Sequence, residues 1–175
     1  MEPMEDEKLN DIIQEFVRIE VRKIHEKSDT KQNLIFIRLA IPDLSKTEYG
    51  QIIKSKPIVS FGLRWYITAE RKKVDEYDVL EVGMQGEPVS DAISDWSCYA
   101  NVGFHMKEIV QSWSKQVEHT RISEYPIKFC KNSTSFVHHD PFYWHKLTNP
   151  EEGLIKDDLV ILEGDIDIYP TDINH

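Results

Sequence analysis

From residue 34 onward the apolar positions recur at every second residue. Leu34–Ile41 sets Ile35, Ile37, Leu39 and Ile41 on one face against Leu34, Phe36, Arg38 and Ala40 on the other. Arg64–Arg71 turns Trp65, Ile67 and Ala69 one way and Arg64, Tyr66, Thr68 and Glu70 the other. Val79–Gln85 carries Leu80, Val82 and Met84 on its apolar face. Trp96–Lys107 repeats the pattern longest, with Trp96, Cys98, Ala100, Val102, Phe104 and Met106 in phase. Near the end, Val160, Leu162, Ile166 and Ile168 alternate with Ile161, Glu163, Asp165 and Asp167. Alternation places one face on a core and the other in water, as in antiparallel sheets. Turn clusters at Ile41-Pro42-Asp43, Gln85-Gly86-Glu87-Pro88, Lys131-Asn132-Ser133 and Thr148-Asn149-Pro150 separate the runs. The pattern predicts an all-β, antiparallel β-sandwich.

Two stretches depart from it. In Glu5–Lys27 the residues Leu9, Ile12, Ile13, Phe16 and Ile19 form a stripe at helical spacing, with Pro3 just ahead. Lys23 takes the next apolar slot, so the stripe falls short of the three or four heptads of a coiled coil. An N-terminal amphipathic helix is expected, docked on its own domain or a partner, or self-associating through that stripe. Ser28–Asn33 is polar and reads as a linker, giving a helical segment 1–32, a β domain 33–170 and a tail 171–175. Asp140–Gly153 is too irregular for a strand and predicts a short helical turn and loop. Leu154–Asp158 reads as a turn feeding the last strand.

With 175 residues there is room for one domain able to bury its own core. Net charge is −10, which opposes nucleic-acid binding unless a local basic face exists. The candidate is Arg64–Lys73, where Arg71, Lys72 and Lys73 sit in a row, and its lysines read as marking the exposed end of a strand and keeping it from pairing with neighbours. No stretch approaches the ~18 apolar residues of a membrane span, and Met1–Lys8 lacks the basic and apolar regions of a secretory leader. Cys98 and Cys130 form no Cys-x-x-Cys pair and read as buried thiols, so the expected compartment is cytoplasm or nucleus.

Candidate chemistry is sparse. His138, His139, Asp140 and His145 are close in sequence, yet adjacent histidines in a strand face opposite ways and cannot share one ion. No metal and no cofactor is expected. Gly-x-Ser-x-Gly and the glycine-rich phosphate loops are absent, and Cys98 lies in the core phase. Glu151/Glu152 and Asp157/Asp158 read as solvated turn residues. The chain is expected not to be an enzyme. Phe136, Phe142, Tyr143 and Trp144 crowd beside a predicted strand, an arrangement that can grip an extended peptide.

Phe61-Gly62-Leu63-Arg64-Trp65-Tyr66-Ile67, the strand Leu80–Met84, and Asp95-Trp96-Ser97-Cys98-Tyr99-Ala100-Asn101-Val102 occur in an order that resembles the MATH (meprin and TRAF homology, TRAF-C) domain. The run Gly153–Ile166, with Leu154, Ile155, Asp157, Asp158 and Leu159, is similar to the closing motif of that family. The resemblance spans roughly Asn33–Tyr169 and is closest in style to the nematode-type domains found with BTB domains in cullin-3 ubiquitin-ligase adaptors. It implies an eight-stranded antiparallel sandwich that binds short peptides of partner proteins in a shallow sheet groove. Carried over, the groove positions are Lys128, Phe129, Phe136, Val137 and His138, with Gly83 and Val102 on flanking strands. Phe136 stands where the family has the tryptophan of its Gly-Trp motif, His138 where it has a further aromatic, and Gly83 where the best-known adaptors have tyrosine. The implied role is a recognition module in a ubiquitin-ligase or signalling assembly. The alternative is an oligomeric, TRAF-like scaffold clustered through the N-terminal helix.

Overall fold

The computed structural model describes residues 34–90, 95–106 and 120–169. The expected helix 1–32, its oligomerisation stripe and the tail lie outside the described residues. The described residues form twelve strands: β1 (Leu34–Ile41), β2 (Ile52–Lys54), β3 (Ile58–Ser60), β4 (Leu63–Val74), β5 (Tyr77–Pro88), β6 (Ser97–Met106), β7 (Thr120–Ile122), β8 (Ile127–Cys130), β9 (Ser135–Val137), β10 (Phe142–Tyr143), β11 (Ile155–Lys156) and β12 (Leu159–Tyr169). One short helix, α1 (Trp144–Leu147), follows β10.

The strands form two antiparallel sheets. The first runs β1-β12-β6-β7, with β8 beside β7 on the same edge of β6 and β11 on the end of β12. The second runs β10-β5-β4-β2, with β9 beside β10 on β5 and β3 beside β2 on β4. The long strands are the ones with long alternation. Ile37, Leu39, Trp65, Ile67, Val82, Met84, Val102, Phe104, Leu162 and Ile166 all fall on buried faces. Inward side chains of the two sheets meet in one core. Trp65 (0% exposed) on β4 meets Phe129 on β8 edge to face, centroids 5.1 Å apart, and this contact ties the two sheets together.

Shifts of one to three residues at strand ends aside, three readings change. Asp140–Gly153 contains α1 and a 3₁₀ turn, Pro150–Glu152, but begins with a strand, β10. Leu154–Asp158 holds β11, and Asp157 and Asp158 both take positive φ (52° and 59°) in the two-residue turn to β12. Such turns need two left-handed residues, which Asp tolerates, and the Asp158 carboxylate accepts from the Ser45 N–H at 2.9 Å. Arg71, beside Lys72 and Lys73 on β4, is half-buried. Its guanidinium is sandwiched between Tyr49 (4.4 Å) and Trp144 (4.0 Å) and bonds the Thr47 carbonyl, fastening two loops to β4. The third change is Cys130: Cys98 is buried as expected, but Cys130, beside Ser97, is only partly so.

Two serines extend the ladders where the edge strands stop. The N–H of Ser55 donates to Ile67 O while its Oγ accepts from Ile67 N, at 3.0 Å each. Ser123 does the same to Val102, at 2.8 and 3.0 Å. Each hydroxyl stands in for the carbonyl that a continuing strand would supply, so the inner strand keeps its buried amide bonded.

Candidate functional site

Near the expected groove, β9 pairs among the described residues on one side only, with β5. Its register pairs Gly83 with Val137, Met84 with Phe136 and Gln85 with Ser135. Gly86 N donates to Thr134 O (2.8 Å) and His138 N to Val82 O (3.0 Å). Antiparallel pairs alternate between bonded and non-bonded, so Thr134, Phe136 and His138 turn their amides and carbonyls toward β5. Ser135 and Val137 therefore turn theirs outward, and among the described residues no other strand pairs with that side of β9. An edge of this kind is a template for another extended chain.

Side chains follow the same alternation. Phe136 and His138 point inward with Met84 and Val82, while Ser135 and Val137 lie on the outer face. Val137 is 47% exposed. Across the outer face it continues a row through Gly83 and Thr68 to Lys54, and Ser135 continues one through Gln85 to Tyr66. Farther along, Lys72 bonds Glu81 at 2.5 Å and Glu70 at 3.2 Å. The Glu81 bond, with Glu70 adding, holds the Lys72 ammonium above its ordinary range against the opposing effect of burial. One lysine against two glutamates leaves that end of the face net acidic, while nearer β9 Gln85 donates to Glu87 at 2.7 Å and Lys54 Nζ sits 5.7 Å over the Tyr66 ring.

The expected site residues divide. Val137 and Lys128 are exposed, Phe136 is half-buried against the core, and His138 is buried. Phe129 and Val102 are fully buried in the core and have no surface to offer a ligand. They also belong, with Lys128, to the first sheet, because β8 joins β6 while β9 joins β5. The groove set is thus split between two sheet edges. Gly83 does not open a pocket either: Thr68 Oγ1, Val137 Cγ2 and the Phe136 carbonyl fill the space a side chain would need. Residues missed in the sequence are Ser135 and Thr68, whose small polar side chains carry no motif, and Ile122. Ile122 is 59% exposed, and its carbonyl meets the His138 ring from the first sheet.

Among the described residues no three His, Cys, Asp or Glu side chains converge as metal ligands. Burial pushes the Cys98 thiol up to about 11, the opposite of an activated nucleophile. No protein-family model matches the chain, and no curated protein is detectably similar to it in sequence.

Proposed function

We propose that this protein is a non-catalytic recognition module that binds an extended peptide segment of a partner protein by adding it as a strand along β9. The observation that carries this reading is the outward-turned main chain of Ser135 and Val137 on an open, three-residue edge. Val137 and Ser135 would contact alternate side chains of the incoming strand, and Thr68, Gln85 and Tyr66 would form the polar floor. The MATH resemblance supports the same class. Counting β7 with β8, β9 with β10, β2 with β3, and β11 with β6, its neighbour on the same side of β12, the two sheets have four positions each, the number in the eight-stranded sandwich that the resemblance implies. By the same resemblance the peptide belongs to a substrate or signalling partner of a ubiquitin-ligase assembly. The peptide motif is this chain's own, since the aromatic positions of the family are Phe136, His138 and Gly83 here and all three are turned inward or filled.

Proline at 137 tests strand addition directly. The Val137 N–H makes no ladder bond to β5, so Val137→Pro removes only the outward donor, at an edge position where proline is tolerated. Peptides selected from a displayed random library on the wild type are expected to lose binding to Val137→Pro and keep most of it with Val137→Ala. Equal binding to all three proteins refutes strand addition at β9.

A further inference from the structure

One residue of this edge has no part in contacting a strand laid along β9. His138 is 4% exposed, although it lies at the margin between the two sheets. Both ring nitrogens are occupied. Nδ1 accepts from the Asp140 N–H at 3.1 Å, and Nε2 lies 3.2 Å from the Ile122 carbonyl. An amide N–H can only donate and a carbonyl can only accept, so the ring is the neutral tautomer with its proton on Nε2. Through its main chain His138 closes the last bond of β9 to Val82, and through Nε2 it reaches the end of β7 in the other sheet. The edges of the two sheets are thereby joined through one imidazole.

We propose that His138 is an acid-sensitive latch that holds β9 against the first sheet, and that a proton on Nδ1 releases the edge. Protonation turns Nδ1 from acceptor to donor, so it then faces the Asp140 N–H donor to donor. The charge arises in a buried place, among Phe104 of β6 (6.3 Å), Phe136 of β9 (6.1 Å) and the ring of His139, stacked at 4.6 Å. A positive His139 would add repulsion. Asp140 is the acidic residue of the same loop, β5 presents the Val82 carbonyl, and the end of β7 presents the Ile122 carbonyl. The bond to Ile122 gains from the charge, but the lost Asp140 bond and the buried cation both oppose it, and opening the loop relieves both. The latch stands on the geometry alone; its use, releasing a bound peptide in acid, rests on the peptide reading above.

Hydrogen exchange on the unliganded protein tests it. Between about pH 8 and about pH 5 the amides of His138 and Asp140 are expected to lose at least about tenfold in protection, after correction for the chemical exchange rate. His138→Phe, which fills similar space without the nitrogens, is expected to show no such step. Ring nitrogen shifts in the wild type are expected to report the Nε2–H tautomer at the upper pH and double protonation as the step occurs; they decide the matter even if the variant folds poorly. Protection that persists while the ring titrates, the opposite tautomer, or the same step in His138→Phe each overturns the latch. No peptide enters this experiment, so a protein that passes it and captures no peptide loses only the peptide reading.

Discussion

A methyl group on Gly83 probes what lies beneath β9. A Cβ built there falls 2.7 Å from the Phe136 carbonyl oxygen and 2.8 Å from Thr68 Oγ1. The threonine can turn, but Phe136 faces Met84 in a bonded pair, so its carbonyl cannot yield without lifting β9 from β5. Overpacking of this kind costs about 1–3 kcal/mol. Replacing glycine by alanine also stiffens the unfolded chain and returns up to about 1 kcal/mol. The net loss for Gly83→Ala therefore falls between about 0 and 3 kcal/mol; because the carbonyl is held at a 2.7 Å approach the upper half is expected, about 1.5–3 kcal/mol, a fall in melting temperature of roughly 3–12 °C for a chain of this size. Gly103→Ala is the control. There the three atoms nearest the Cβ all belong to the Asp165 carboxylate, a side-chain end that can swing aside at the expense of its partly exposed pairing with His105. Such pairs are worth about 0–1 kcal/mol, so Gly103→Ala should be near neutral. Thermal unfolding by circular dichroism on both variants reads the difference. If Gly83→Ala melts with the wild type, there is free space under β9, and a ligand pocket at that position becomes tenable again.

Further outcomes follow from single contacts. Ser123→Ala leaves the Val102 N–H without its side-chain acceptor and should lower stability by about 1–3 kcal/mol in urea titration; an unchanged midpoint would mean that the hydroxyl is not needed there. The Tyr49 hydroxyl, with Arg71 assisting, holds the Asp78 carboxyl below its ordinary range. A depressed folded value stabilises the fold above the unfolded value and is lost as the pH falls through the folded one. Melting temperature should therefore fall below about pH 4 more steeply in the wild type than in Tyr49→Phe, and parallel curves would sink that linkage. With its thiol raised by burial, Cys98 should resist alkylation in the folded protein at about pH 8 while half-exposed Cys130 reacts, as mass spectrometry of labelled peptides would show. Equal labelling would place Cys98 outside the core.

The reading of the sequence succeeded where the chain runs long between two chemically different faces. β1, β4, β5, β6 and β12 each span eight residues or more, enough for Trp65, Val82, Phe104 and Leu162 to declare the buried side by period alone. The remaining strands have two to four residues, too few to display a period, and β10 and β11 read as turns for that reason. What the pattern could not hold was partnership. β8 and β9 are neighbours in sequence, yet they join different sheets, and that division moved Phe129 into the core and left Val137 on the surface. His138 shows the same limit in one residue. A histidine between Val137 and His139 reads as a surface group, and only the Ile122 carbonyl and the Asp140 amide, brought to its two nitrogens by the fold, satisfy it well enough to be buried. Alternation is a local property set by which face meets water, so the sequence alone determined the sandwich. Edge pairing and the satisfaction of buried polar groups depend on residues distant along the chain, so the tertiary structure decided the site.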